Sequence, residues 1–225
     1  MAKSSVVIVG GGYIGIELAK SLESDLDVTL VEPREAFVHA PAMLRAQVDP
    51  TERDQALIPY DRLLKSGKLV KARAVGVAEG SVTLEGGETL SADYIALCPG
   101  AANGGIFKPG DESVASFREA QSKVQAQINA AKTIVIVGAG AVGTELAGEI
   151  AHIQPDTSVT LISADAKLFP DFPAKLGSGL AAKLKDMGVD VVLGQRVTDL
   201  QSTTEPYAGQ VPLEDGRTIA ADLVI

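Results

Sequence analysis

One cysteine among 225 residues closes off several kinds of chemistry at once. A lone thiol makes no internal disulfide, no Cys-x-x-Cys redox pair and no all-cysteine zinc site. With only two histidines, a histidine-rich metal centre has no ligands to draw on, and no metal is expected. Positive charge is also short. Twenty Lys plus Arg stand against 29 Asp plus Glu, a formal net charge of −9. A nucleic-acid partner needs a basic footprint, which is missing, and nothing supports anchoring on anionic lipid. No apolar run approaches the roughly 20 residues that span a bilayer. The opening MAKSSVVIVGGG lacks the apolar stretch and cleavage site of a secretory signal. These absences leave a cytoplasmic α/β protein as the default. At 46% hydrophobic and 22% charged, the chain has the material for a core, and its length suits one large domain or two compact ones.

What the chain has is glycine, 23 of them, and two groups repeat. Residues 6–22 read VVIVGGGYIGIELAKSL and residues 134–150 read IVIVGAGAVGTELAGEI. The two align without a gap at an offset of 128, pairing Gly10 with Gly138, Gly12 with Gly140, Gly15 with Gly143 and Glu17 with Glu145. Each copy is a β-branched run, then G-x-G-x-x-G, then a helix-like stretch. The continuous apolar run predicts a strand buried on both faces of a parallel sheet. A second strand follows each copy, Val28–Glu32 and Val159–Ser163. Both copies therefore predict the opening β-turn-helix-β of a Rossmann fold. One such glycine motif says little, but two in the right strand–helix context say much.

The motif assigns roles to its residues. Gly10 and Gly138 permit the turn out of the strand, and Gly12 and Gly140 let the backbone approach a pyrophosphate. Gly15 and Gly143 let the helix pack closely on the strand, and the helix N-terminus faces the phosphates. Glu32 lies at the spacing expected of a carboxylate that bonds a ribose. The second copy has Ser163 there, followed by Asp165, with Lys167 the nearest cation. Serine does not repel a 2′-phosphate and Asp165 remains available to a ribose, so NADH and NADPH both stay open. Cys98, at the end of an apolar strand, reads as a small buried hydrophobe.

Between the motifs, PREAFVHAPAMLRAQVDP predicts a loop leading into a short helix, and residues 54–66 a longer helix. Alternation over 69–78, 81–85 and 89–98 predicts an antiparallel meander whose last stretch, Tyr94–Cys98, is a buried strand. A linker rich in Gly, Pro and Asn follows from Pro99 to Gly110, then a helix over 113–131. The second half predicts a helix over 174–187, strands over 189–193 and 196–200, and a hairpin over 210–219. Asp222–Ile225 reads as the start of a further strand, so the chain is expected to be cut short of a longer parent.

This arrangement resembles the FAD-dependent pyridine-nucleotide oxidoreductases over the whole chain, and within them the apoptosis-inducing-factor homologue branch. The resemblance implies an α/β protein of two Rossmann-like domains, parallel sheets with meander insertions. Residues 1–110 would take FAD and 111–225 NAD(P)H. It assigns Gly10, Gly12, Gly15 and Glu32 to the FAD pyrophosphate and ribose, Arg34, His39 and Pro41 to the neighbourhood of the flavin, and Val75 to a backbone contact with adenine. Gly138, Gly140 and Gly143, with Ser163 at the strand end, fall to NAD(P)H, and Glu145 matches a glutamate near the nicotinamide and flavin, a placement favoured by a position in the first helical turn. It also implies electron flow from NAD(P)H through flavin to a small acceptor such as a quinone. A protein acceptor such as a ferredoxin, or a non-enzymatic dinucleotide-binding module, is the alternative. Two features depart from the family. Cys98-Pro99-Gly100 stands where Ala-Thr-Gly is usual, so the hydroxyl contact beside Gly100 is lost. A C-terminal segment that completes the FAD domain is missing, so weak FAD retention is expected, unless a homodimer closes the site.

Overall fold

The computed structural model describes residues 2–101 and 113–225. Their contacts divide them into two units. The first takes residues 2–39, 54–101 and 113–118, and the second 40–53 and 119–225. The predicted boundary near residue 110, and most of the predicted linker, lie outside the described residues.

The first unit is built on a four-stranded parallel sheet. Its strands are β1 (Ser5–Val9), β2 (Asp27–Val31), β5 (Lys68–Val70) and β9 (Tyr94–Leu97), in the order β5-β2-β1-β9. Helix α1 (Tyr13–Leu22) links β1 to β2. Alternate residues of β1 serve opposite faces. Val6 and Ile8 pack with Ile16 and Ala19 of α1. Val7 packs instead with Val82 and Leu84 from an antiparallel layer on the other face. That layer is β6 (Ala74–Ala78), β7 (Ser81–Leu84) and β8 (Thr89–Ser91). Both faces of β1 are thus covered, which is why its sequence is apolar throughout. A short ladder of β3 (Ala36–Val38) and β4 (Leu57–Pro59) completes this unit.

The second unit repeats the plan. Its sheet runs β12-β11-β10-β14-β13, from β10 (Thr133–Val137), β11 (Ser158–Ile162), β12 (Asp190–Val192), β13 (Tyr207–Pro212) and β14 (Thr218–Val224). All neighbours are parallel except β13 with β14. Helices α5 (Ala141–Ile153) and α6 (Ala174–Asp186) follow β10 and β11. Ile134 and Ile136 pack with Leu146 and Ile150 of α5, and with Val124 and Ile128 of α4 (Val114–Ala130). The same core takes in Leu44 of α2 (Ala40–Arg45) and nearby Val48, while α3 (Thr51–Gln55) closes that segment.

The repeat reaches further than the glycine motifs. Asp93 heads β9 and accepts hydrogen bonds from the Ser5 N–H (2.7 Å) and hydroxyl (2.9 Å), while its own N–H donates to Ser5 Oγ (3.0 Å). Asp222, in β14, accepts from the Lys132 and Thr133 N–H groups, both at 2.9 Å, and its N–H donates to Thr133 Oγ1 at 3.0 Å. Each pair ties the closing strand of its unit to the opening one.

Five predicted elements come out differently. Residues 89–98 are two strands: β8 stays in the meander, while β9 pairs parallel with β1 and has Tyr94 and Leu97 exposed at its ends, not buried. Residues 54–66 do not form one helix: α3 ends at Gln55, β4 occupies Leu57–Pro59, and a 3₁₀ turn covers Tyr60–Arg62. Pro59 has no N–H for an i−4 carbonyl, and its ring clashes with a continuing helix. The stretch 69–78 is split, because β5 joins the parallel sheet beside β2 while β6 enters the meander. Residues 196–200 make a single bridge, Val197 to Leu213, and no strand. Asp222–Ile225 does not open a new strand. It continues β14, which pairs with β13 along Thr218–Ala221 and again at Val224, and with β10 at Leu223 and Val224.

Candidate functional site: two glycine turns

Each glycine turn joins a strand end to a helix start. Gly10 leaves β1 at φ +101° and Gly138 leaves β10 at φ +109°, in the region that favours glycine. The Gly10 N–H donates to the Val31 carbonyl and the Gly138 N–H to that of Ile162, both at 2.9 Å. Each turn is thereby tied to the next strand. A Cβ on Gly15 would lie 1.8 Å from the Gly10 carbonyl oxygen, and one on Gly143 2.0 Å from that of Gly138. These two glycines are required by their own chain.

Gly12 and Gly140 are not. Each caps its helix in ordinary extended geometry, φ −77° and −73°, and a Cβ on either meets nothing within 4 Å. The open space lies at the positive end of a helix that has no acid in its first turn and no side-chain cap. That is the geometry of an anion cradle, and the pyrophosphate of a dinucleotide fits it.

Glu32 stands just beyond β2, only 2% exposed. Its Oε2 accepts from the Gly11 N–H at 2.7 Å and Arg34 Nη2 at 3.2 Å, and its Oε1 from the Arg34 N–H at 3.0 Å and Arg34 Nε at 2.7 Å. Burial pushes the carboxyl pKa up, but the Arg34 guanidinium and the two backbone N–H groups outweigh it and hold it below the ordinary value. A carboxylate offers about four acceptor positions, and here four donors fill them. A further donor would therefore reach Glu32 only by displacing one of these four, an Arg34 contact being the most exposed.

Tyr60 was not singled out in the sequence, yet it braces this turn. It is 2% exposed and its hydroxyl donates to the Gly11 carbonyl at 2.7 Å. Burial, with the Glu32 charge adding to it, pushes the phenol above its ordinary pKa. Tyr60→Phe leaves that carbonyl without its partner. The expected cost is about 1 kcal/mol, read as a lower melting temperature with unchanged far-ultraviolet dichroism. The usable signal was Pro59, which marks the residue after it as a turn.

The other expected residues are spread more widely. His39 is exposed, and its Nδ1 shares a hydrogen bond of 2.9 Å with the Tyr13 hydroxyl, whose ring meets Phe37 edge-on at 4.9 Å. Tyr13 is the first residue of α1, so this pair borders the Gly12 cap. Pro41 lies in α2 and belongs to the second unit. Val75 is 61% exposed on β6. Gly100 has φ +75°, and a Cβ there meets nothing within 4 Å. Cys98 is half-buried against the turn, its carbonyl oxygen 2.2 Å from where a Gly10 Cβ would sit.

In the second unit Ser163 takes the place of Glu32. The Ser163 N–H donates to the Val192 carbonyl as that of Glu32 does to Val70. Its hydroxyl oxygen accepts the Asp165 N–H at 3.2 Å, and no carboxylate occupies the strand end. Glu145 is exposed. Helix α5 starts at Ala141, so Glu145 is its fifth residue and not in the first turn, which removes the dipole argument for placing it. Among the described residues no three His, Cys, Asp or Glu gather as metal ligands, and no helix is long and apolar enough to cross a membrane.

A model of the pyridine nucleotide-disulphide oxidoreductases matches residues 60–225, and a second of the same description matches residues 5–50. The chain belongs to this family. Among curated oxidoreductase-family relatives, apoptosis-inducing factor homolog B of Dictyostelium discoideum is 33% identical, with 99% of this chain and 63% of that protein aligned. Ferroptosis suppressor protein 1 of Xenopus laevis is 34% identical over 98% of this chain and 61% of its own length. The chain thus spans less than two thirds of these oxidoreductase relatives. The reductase in the putidaredoxin reductase–putidaredoxin complex shares the fold, with a TM-score of 0.77 at 22% identity, covering 100% of this chain and 58% of that one. The α/β class and the paired Rossmann units expected from the sequence agree with these likenesses.

Proposed function

We propose that this chain is the two-nucleotide portion of an FAD-dependent NAD(P)H oxidoreductase that delivers electrons to a quinone or similar small acceptor. The observation that carries it is the pair of glycine cradles, each kept open at Gly12 or Gly140 where the protein's own packing asks for nothing. FAD in the first and NAD(P)H in the second would supply the hydride and electron chemistry. The chain's part is to hold them. The α1 and α5 N-termini bind the two pyrophosphates, and Glu32 exchanges an Arg34 contact for a ribose. Ser163, without charge at the strand end, leaves both nicotinamide dinucleotides acceptable. The single cysteine gives no dithiol to receive electrons, so they leave for an external acceptor, in the cytoplasm on this reading. The acidic net charge disfavours an acidic protein acceptor.

The test is NADH consumption by the FAD-loaded protein with a short-chain quinone, with a ferredoxin-type protein, and with neither. Consumption that depends on quinone is expected. Dependence on the ferredoxin alone replaces the acceptor, and no consumption with nucleotide bound returns the chain to a binding module. Glu145→Gln is expected to slow flavin reduction more than it weakens nucleotide binding. An unchanged stopped-flow rate removes Glu145 from the chemistry.

A further inference from the structure

The second residue of each glycine turn, Gly11 in the first unit and Ala139 in the second, has a carbonyl and an N–H that no helix or strand takes up. The carbonyl is served in both units. Tyr60 donates to that of Gly11 at 2.7 Å, and the buried Thr144 hydroxyl to that of Ala139 at 3.3 Å. The N–H is served in the first unit alone, where it donates to Glu32 Oε2 at 2.7 Å. The Ala139 N–H has no acceptor among the described residues, and Ala139 is only 8% exposed. A backbone donor with so little water about it needs a partner.

One residue removes the acceptor. Ser163 stands where Glu32 stands, and its side chain is shorter and brings a donor of its own. It is 8% exposed. Its oxygen accepts the Asp165 N–H at 3.2 Å, and its hydroxyl proton has no acceptor among the described residues. The strand end that sets a carboxylate against a donor in the first unit thus presents two donors in the second. The Gln195 N–H donates to the Ser163 carbonyl at 3.0 Å and the Gly194 N–H to that of Asp165 at 2.9 Å, which brings 194–196 alongside 163–165. Each of these two segments leads to an exposed cation, Lys167 on one and Arg196 on the other. Neither has an ion-pair partner among the described residues. The exposed Asp165 sets one negative charge against these two.

We propose that the second cradle selects NADPH over NADH, the 2′-phosphate of the adenosine ribose filling the place that the Glu32 carboxylate fills in the first unit. Near neutral pH a phosphate monoester is mostly a dianion and only accepts. It therefore suits a strand end that only donates: it takes the Ala139 N–H and the Ser163 hydroxyl, while Lys167 and Arg196 outweigh Asp165 in charge. A plain ribose 2′-hydroxyl has a proton of its own to place, and the strand-end carboxylate that takes it in an NAD site is missing here. The proposal rests on the second cradle being a nicotinamide-dinucleotide site and is independent of the electron acceptor.

Calorimetric titration of the 225-residue chain with NADPH and with NADH tests it. NADPH is expected to bind about tenfold more tightly or better, since each hydrogen bond to a charged group is worth about that factor. Added salt should weaken NADPH binding more than NADH binding. Lys167→Ala combined with Arg196→Ala, both at exposed positions, should cost NADPH about tenfold and shrink its advantage. Ser163→Glu restores the strand-end carboxylate and should invert the preference, with far-ultraviolet dichroism reporting that the variant is folded. Equal affinities in the wild type, or tighter NADH, overturn the proposal and leave the nucleotide site standing. A preference for NADPH that survives the Lys167 and Arg196 substitutions undiminished overturns it too, by placing the phosphate elsewhere. If neither dinucleotide binds, it falls together with the reading of the second cradle on which it rests.

Discussion

Gly140→Ala is expected to leave the second unit folded while removing most of its affinity for NADH, and Gly143→Ala, three residues on, to unfold it. The two positions differ in what a methyl group meets. At Gly140 it enters open space from a backbone conformation alanine also adopts, so the cost is that of an altered helix cap, about 1 kcal/mol or less. A bound pyrophosphate, however, would find that methyl in its place, and loss of even a couple of its hydrogen bonds costs tenfold or more in affinity, at about 1.4 kcal/mol per factor of ten. At Gly143 the methyl lies 2.0 Å from the Gly138 carbonyl oxygen and 3.3 Å from Ile136 Cγ2. Backbone must move to admit it, at a cost of about 3 kcal/mol or more. Calorimetric melting and NADH titration separate the two outcomes. FAD binding in the first unit serves as the control in Gly140→Ala. If that variant loses both nucleotides, or melts as early as Gly143→Ala, the glycine is a packing residue and the two-cradle reading fails.

Glu32→Gln is expected to destabilise the first unit by about 3 kcal/mol, since it breaks a buried ion pair from one side. The amide places a donor among donors from Gly11 and Arg34, and the Arg34 guanidinium keeps its charge without a counterpart. Arg34→Gln added to Glu32→Gln should recover part of the loss. The wild-type protein also carries a pH signature. Glu32 has a folded pKa below its ordinary value of 4.5, so its contribution is fully present above about pH 4.5 and disappears as pH falls through the lowered folded value. Melting temperature followed from pH 7 to pH 3 should fall more steeply for wild type than for Glu32→Gln, the two curves converging at the acid end. Parallel curves would mean that the carboxylate is not held in its charged form by the fold.

Both glycine turns were legible in the sequence because the contacts that demand glycine there lie within a few residues. Gly15 is excluded from bearing a side chain by Gly10, and Gly143 by Gly138, so the spacing itself carries the geometry. Glu32 was legible as a position, but its partners were not. That Arg34 folds back onto it, and that Tyr60 reaches across to Gly11 from 49 residues away, are matters of tertiary packing. Residues 54–66 show how a helical spacing of apolar residues is overridden when one of them is proline. The misreading of Asp222–Ile225 has another cause. A seven-residue strand that pairs antiparallel with β13 from end to end, across an irregularity, and gains a parallel neighbour in β10 only at Leu223 and Val224 presents two patterns, and its middle resembles a boundary.

The segment 40–53 changes what can be done with this molecule at the bench. Among the described residues the chain passes between its two units at 39–40, at 53–54 and at 118–119. Neither unit is therefore a contiguous piece of polypeptide. A protease that nicks the chain once between the units does not release either of them. Expressing residues 113–225 alone would omit Leu44 and Val48, both 5% exposed in the core beside α5, and leave apolar surface where they belong. A separable nucleotide-binding module would have to be made by grafting 40–53 onto it through a new connection, in the manner of a circular permutation, and not by choosing a better place to cut.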